Sequence, residues 1–316
     1  MSVIEAAEGN VGVAYQSSAR KPPVNPLHLV LALGSVWLFW GSTFAAIRIS
    51  IATIPPFVMV SSRFIIAGAI VWIFCAFIGR ARPTRADWQR ALVTGTTLLL
   101  LGNAVTAWST QFVPTGLGSL LLSLSPVWMA LFDFLLSREK PSRTAVAGMA
   151  LGFIGMALLL QPKATGGLPL VPTALLIAAS ISWAFGSIYQ RRSGGSNLIL
   201  ATAMQMVIGG VLIGIEAALF GQWQHFNIFA VSPASFGGLA WLIVFGSLFA
   251  YSAYLWSMQN APTALGSTYA YVNPIVALTL GALLFHEHLS VLALVASIVI
   301  LGGVALMMVP ARPTQH

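Results

Sequence analysis

Long apolar runs, separated by short polar segments, follow one another along the chain after residue 28. Each run approaches the roughly 20 residues that an α-helix needs to cross a bilayer, and the runs lack the period-two alternation of a membrane β-strand. The pattern therefore predicts ten transmembrane helices. They cover approximately residues 29–49, 56–78, 91–112, 117–136, 145–160, 173–190, 198–220, 237–258, 263–285 and 291–309.

Composition supports a membrane protein. Apolar residues make up 58% of the 316 residues and charged residues only 7%, whereas soluble domains have about 25% charged residues. With so few charges, the net charge of +8 indicates membrane topology, and we expect no nucleic-acid partner. Residues 1–28 are polar and contain several prolines, which predicts a disordered tail.

Most Lys and Arg residues lie in the N-terminal tail, after the second, fourth and sixth predicted helices, and at the C-terminus. Ten helices place all these segments on one side of the membrane, and positively charged loops favour the cytoplasm. We therefore expect a multi-pass protein of the inner (plasma) membrane with both termini cytoplasmic. The residues are Arg20, Lys21, Arg80, Arg82, Arg85, Arg90, Arg138, Lys140, Arg143, Arg191, Arg192 and Arg312.

The chain contains an internal repeat at an offset of 148 residues. It predicts two halves of five helices each, residues 29–160 and 173–309, and an odd number of helices per half makes the second half inverted. The loop 137–143 is basic, whereas its counterpart 285–291 has no Lys or Arg, as expected for opposite membrane faces. Trp108, Gln111, Pro114, Thr115, Leu117, Gly118, Ser119, Pro126, Glu139 and Ser142 align with Trp256, Gln259, Pro262, Thr263, Leu265, Gly266, Ser267, Pro274, Glu287 and Ser290.

Three motifs in the first half and two in the second carry a family resemblance. The first half has Trp40-Gly41-Ser42-Thr43, Ile47-Arg48 and Arg63-Phe64; the second has Ile181 to Ser187 and Ser267 to Pro274. With these motifs the chain resembles the EamA branch of the drug/metabolite transporter superfamily, in particular its YedA-type bacterial inner-membrane exporters. The resemblance implies ten helices in two inverted repeats, a central cavity between them, and export of small metabolites.

Arg63 is the charged candidate for a substrate site. It lies seven residues after Pro56, or roughly 10 Å along the helix, where a charge usually faces a cavity or a partner. It is either a counter-charge for a substrate carboxylate or a structural arginine bound to helix-end carbonyls or an internal acid. Arg48 lies nearer the interface, where its head group can reach water.

Neutral polar and aromatic residues inside the predicted helices complete the candidate substrate site. They suit an amphipathic cargo, although hydrogen bonding and packing between helices explain each of them equally well. The two aligned prolines, Pro126 and Pro274, are candidate hinges or static kinks. The other candidates for substrate binding are Trp40, Asn103, Trp108, Trp183, Gln205, Tyr251, Tyr269 and Asn273.

We therefore expect a secondary transporter, not an enzyme, that exports small amphipathic metabolites such as amino acids or drug-like compounds by alternating access. A facilitator or importer of the same cargo, or a non-transporting interaction protein, are the alternatives. We expect no cofactor and no metal, because no phosphate-binding loop occurs and His286-Glu287-His288 offers too few ligands. Gly148-x-x-x-Gly152 and Gly302-Gly303 predict either internal packing or a homodimer surface.

Overall fold

A computed structural model describes residues 26–79, 82–137, 142–161, 167–193, 197–260 and 269–307, and this part of the chain contains helices and no strands. Seven of its helices are long and apolar enough to cross a membrane, and three shorter apolar helices accompany them. The expected all-α membrane architecture is therefore confirmed. The number of ten membrane crossings stays a prediction.

We number the helical units α1 to α10 in chain order. The single helices are α1 (Pro26–Ser50), α2 (Pro56–Phe77), α5 (Arg143–Leu159), α6 (Leu170–Ser193), α7 (Leu198–Leu219), α9 (Tyr269–Phe285) and α10 (Val291–Met307). The segmented units are α3 (Arg85–Thr94, Gly95–Ala104 and Val105–Ser109), α4 (Thr115–Leu122 and Ser125–Ser137) and α8 (Pro233–Trp241, Leu242–Phe249 and Ala250–Asn260).

The start of α3 differs from its predicted position near Ala91. The helix begins at Arg85, because Thr84 and Asp87 form a capping box in which each side chain accepts a hydrogen bond from the other's backbone N–H. Polar residues thus extend the helix beyond its apolar run. Ser142 and Asn197 similarly cap the first turns of α5 and α7.

Two helices contain π-helical segments that sequence reasoning did not foresee. They are Gly95–Ala104 in α3 and Leu242–Phe249 in α8. Adding the repeat offset of 148 to the first segment gives residues 243–252, so the two segments occupy overlapping positions in their halves. π-Helical segments are rare and often accompany functional sites.

Two pairs of helices at corresponding positions in the halves, α2 with α7 and α5 with α10, pack against each other in antiparallel orientation. In α2 and α7, Ser61 donates to the carbonyl of Gly210, while Gly68 faces Met206 and Val207.

In α5 and α10, Gly148 faces Met307, Gly152 lies close to Gly303, and Gly155 faces Ile300. Gly148, Gly152 and Gly303 therefore serve internal packing, because small residues let the two backbones approach closely. Gly302 faces open space, and the homodimer surface stays a prediction.

The outer surface is strongly apolar, as a bilayer requires. Phe77 is 86% exposed and Ile298 71% exposed, and side chains of this kind would be unfavourable in water. In contrast, Met59 of α2 and Leu120 of α4 are fully buried in the two main cores of the bundle.

Candidate functional site

Four aromatic rings from three helices meet in the interior and form what we call the central aromatic cluster. Trp40 of α1 lies 6.2 Å from Tyr251, 5.0 Å from Tyr254 and 5.3 Å from Tyr269, measured between ring centroids. Tyr254 and Tyr269 are 5.5 Å apart in an edge-to-face arrangement. These separations are typical of favourable aromatic pairs. The cluster joins the first half to the second, since Trp40 comes from α1 and the tyrosines from α8 and α9.

Polar side chains extend the cluster toward α6 and α7. The side chains of Trp183 and Tyr254 lie within hydrogen-bonding reach of Tyr269, and those of Gln190, Thr202 and Gln205 lie within reach of Tyr251.

Of these polar partners, Gln205 is 2% exposed, and its Oε1 atom has no hydrogen-bond partner within the described ranges. Apolar ring faces therefore lie beside buried donors and acceptors, which is the chemistry of a site for an amphipathic molecule.

The π-helical segment of α8 connects Arg63 to the aromatic cluster. The indole Nε1 of Trp40 donates to the carbonyl of Gly246 at 3.0 Å. The guanidinium Nε of Arg63 donates to the hydroxyl of Ser247 at 2.9 Å, and Arg63 is only 5% exposed. Trp40 and Arg63 thus bind neighbouring residues of one segment.

The π-helical segment of α3 lies beside Trp183, just as the π-helical segment of α8 lies beside Trp40. A Cβ atom on Gly102 would lie 3.2 Å from the ring of Trp183, and Ser182 donates to the carbonyl of Thr97. Asn103, a predicted site residue, donates to the carbonyl of Leu98 five residues earlier and so uses its amide inside its own helix.

Trp108, Asn273 and the two prolines take different positions. The Trp108 ring contacts Phe112 at 4.9 Å, and no ring contact joins it to the central aromatic cluster in the residues described.

Asn273 lies one turn after Tyr269 on α9, and its Oδ1 atom is buried without a hydrogen-bond partner among the described residues. Pro126 follows the interruption of α4 after Leu122, whereas Pro274 lies inside an uninterrupted α9.

The comparisons with known proteins decide the family. The sequence pattern of the EamA-like transporter family matches residues 27–161 and again residues 172–309, which together make up most of the chain. The chain belongs to the EamA-like transporter family. The expected EamA membership is confirmed, and the EamA-like relatives are named as transporters, not enzymes.

Individual EamA-like relatives are similar over nearly their whole length. The chain is 33% identical over 294 residues to the inner membrane transporter YedA of Escherichia coli K12, covering 91% of this chain and 94% of that protein. It is 22% identical over 278 residues to the transporter YvbV of Bacillus subtilis, covering 87% and 90%. A solved crystal structure has the same fold, with a TM-score of 0.64, 20% identity, and coverage of 89% of this chain and 96% of the other.

A second polar group in this EamA-like chain lies at the C-terminal end of α1, which we call the Glu287 cluster. The Glu287 carboxylate, whose side chain is 8% exposed, accepts from Arg48 Nη1 at 2.5 Å. It also accepts from the backbone N–H groups of Thr115 and Gly116 at 2.8 and 3.2 Å, and from the Thr115 hydroxyl at 2.9 Å. One carboxylate of the second half therefore binds α1 and the first turn of α4 in the first half.

The backbone around Glu287 is adapted to bury its carboxylate. His286 has a positive φ of 53°, a conformation that non-glycine residues rarely adopt and that occurs where the surroundings enforce it. A Cβ atom on Gly281 would lie 2.5 Å from the Glu287 Oε2 atom, so only glycine leaves room for the carboxylate.

Sequence reasoning missed Glu287 and Tyr254. It treated Glu287 as part of the loop 285–291 and expected the Arg48 head group to reach water, and it paired neither residue with the other. The available signal was the alignment of Glu287 with Glu139 in a chain with only seven acidic residues; Glu139 itself lies outside the described residues. Tyr254 had a weaker signal, since it lies three residues after Tyr251 on the same face of α8.

Proposed function

We propose that this membrane transporter exports small amphipathic metabolites, and that the central aromatic cluster with its polar extension is the transport site. The chain's membership of the EamA-like transporter family makes it a membrane transporter. The placement of the transport site depends on one observation. Trp40, from the first family match, is in ring contact with Tyr251 and Tyr269, from the second. A site between two halves is accessible to whichever side the halves expose.

Alternating access is the mechanism we propose for this site. The antiparallel packing of corresponding helices, α2 with α7 and α5 with α10, supports two inverted halves. The Glu287 cluster fastens both halves together at one end, so that opening at this end requires its hydrogen bonds to break. In this proposal the two halves rock about the aromatic site while the Glu287 cluster breaks and re-forms.

The inner membrane is the proposed location, with both termini in the cytoplasm. The relative YedA is named as an inner membrane transporter, and the distribution of Lys and Arg supports the same orientation here. The Glu287 cluster then lies at the outer end of the protein, because its loop has no Lys or Arg.

Counterflow in proteoliposomes tests the transport proposal. Liposomes containing the purified protein are preloaded with 3-phenylpropionate, 3-phenylpropan-1-ol or 3-phenylpropylamine, and entry of the same labelled compound is followed. These three probes share an apolar body and differ in head group. We expect exchange of at least one probe above protein-free liposomes, and loss of exchange in Trp40→Ala at normal protein yield. Rates equal to protein-free liposomes for all three would refute the proposal.

Direction is tested in membrane vesicles. Everted vesicles should accumulate the exchanged probe when they are energised, and right-side-out vesicles should not. Repeating the assay with and without a pH gradient separates proton-coupled export from facilitation, because a facilitator only equalises concentrations. Accumulation confined to right-side-out vesicles would instead identify an importer.

A further inference from the structure

Arg63 is a cation deep inside the helix bundle. It is 5% exposed and lies seven residues after the first residue of α2, or roughly 10 Å along the helix. A charged group at this depth is unfavourable unless it meets an opposite charge, strong hydrogen-bond partners or a polar cavity. The surroundings of Arg63 should therefore supply such a partner.

The described residues supply Arg63 with few of the partners that a guanidinium requires. Its Nε–H donates to the Ser247 hydroxyl, and its Cζ atom lies 4.8 Å from the ring of Phe64. A guanidinium has five N–H donors and no acceptor. The ion pairs in the described residues join Arg48 to Glu287 and Arg90 to Asp87, so that within this part of the chain Arg63 has no carboxylate.

One terminal nitrogen of Arg63 lies close to a residue that also contacts the central aromatic cluster. A Cβ atom on Gly246 would lie 3.1 Å from the Nη2 atom of Arg63, and the carbonyl of the same Gly246 accepts from the Trp40 indole. A single glycine thus separates the guanidinium from the central aromatic cluster. Within the described residues, a cation without a carboxylate partner therefore lies one residue away from the Trp40 indole.

We propose that Arg63 is the anion subsite of this transporter, and that its cargo is a small organic carboxylate with an apolar body. The guanidinium fork binds the two carboxylate oxygens, a pairing that its planar geometry favours, while the apolar body contacts Trp40. The hydrogen bond to Ser247 leaves the terminal nitrogens available for the cargo and holds the side chain in place. This inference rests on the aromatic cluster being the transport site, as proposed above.

Ligand-induced thermal stabilisation of the purified protein tests the subsite separately from transport. The three phenylpropyl probes are titrated against the wild-type protein, Arg63→Gln, Arg63→Lys and Arg85→Gln. Arg85→Gln makes the same chemical change at an exposed position at the start of α3 and is the matched control. We expect the wild type to bind 3-phenylpropionate at least about tenfold more tightly than the alcohol or the amine, as loss of one charge-assisted pair predicts.

In Arg63→Gln this preference should disappear, with the affinity for the alcohol unchanged; Arg63→Lys should keep part of it and Arg85→Gln all of it. An arginine that only joins α2 to α8 would give a different result: Arg63→Gln would weaken binding of all three probes equally. That outcome, or no stabilisation of the wild type by 3-phenylpropionate at millimolar concentration, would overturn the inference. Should Arg63→Gln fail to fold, the head-group preference of the wild type and of Arg63→Lys still decides.

The binding experiment and the counterflow experiment can give negative results independently of each other. Charge-selective binding without exchange in proteoliposomes would refute the transport proposal and keep the anion subsite. Exchange of the alcohol or amine at the same rate as the carboxylate would keep transport and refute the anion subsite.

Discussion

Replacing Glu287 by Gln should loosen the end of the bundle that the Glu287 cluster closes. The carboxylate accepts two backbone N–H groups and one hydroxyl in addition to Arg48. Hydrogen bonds to a charged group contribute about 1.5–3 kcal/mol each. A glutamine keeps one acceptor oxygen, loses the charge and turns an amide NH₂ toward a backbone N–H. We therefore expect Glu287→Gln to destabilise the closed end of the bundle by about 2–4 kcal/mol. This is somewhat below the roughly 3–5 kcal/mol that breaking a fully buried ion pair costs.

Arg48→Gln provides the matched comparison on the other side of the same ion pair. The Arg48 side chain is 38% exposed, compared with 8% for Glu287, and an ion pair that reaches solvent contributes only about 0–1 kcal/mol. Substitution of the two partners should therefore have unequal effects, because the backbone N–H groups of Thr115 and Gly116, and not the arginine, provide most of the stabilisation of the Glu287 carboxylate.

Cysteine labelling measures the opening. Cys75, the only cysteine in the sequence and a buried one, is changed to Ala, and Ser119→Cys is introduced one turn beyond Thr115, where the native side chain is 3% exposed. A water-soluble maleimide should label this cysteine at least about tenfold faster in Glu287→Gln, since about 1.4 kcal/mol changes an equilibrium tenfold. Arg48→Gln should change the rate by less. Equal rates in the two variants, or no change in Glu287→Gln, would refute the assignment of the cluster as a closure.

Two further predictions concern the interior. Trp40→Ala should weaken binding of the three phenylpropyl probes to similar extents, because a ring face does not distinguish head groups; a charge-selective effect in thermal-shift titrations would contradict this. Gly303→Ala should lower the free energy of unfolding by about 1–3 kcal/mol, since its Cβ atom would lie 2.7 Å from the Gly148 carbonyl oxygen. Gly302→Ala, with nothing within 4 Å of the new atom, should be neutral or slightly stabilising in reversible unfolding; equal losses in both would refute this packing argument.

Much of the site could be predicted from sequence, because polar and aromatic residues are rare inside apolar helices. Trp40, Trp183, Gln205, Tyr251 and Tyr269 stood out for this reason, and the fold brings them together. Trp108 shows the limit of the same rule, since a tryptophan inside a predicted helix can pack locally against its own helix.

Other features had no sequence signal of comparable strength. A π-helical segment depends on how a helix packs, and neither Gly95–Ala104 nor Leu242–Phe249 has a composition that distinguishes it from an α-helix. Glu287 was missed because burial of a loop carboxylate depends on which helix end lies opposite. The start of α3 was placed too late because the apolar run, and not the capping box at Thr84, was taken as the boundary.

The interruption in α4 has a consequence for conformations that this structure does not display. The break at residues 123–124 has its sequence counterpart at residues 271–272, where α9 is continuous. Within the described residues, the helix of the first half is therefore interrupted at a position where the helix of the second half, from Tyr269 onward, is not. Moving the interruption from residues 123–124 of α4 to residues 271–272 of α9 yields a concrete hypothesis for the second state of the proposed alternating-access cycle. Spin-label distances across the bundle can be compared with it directly.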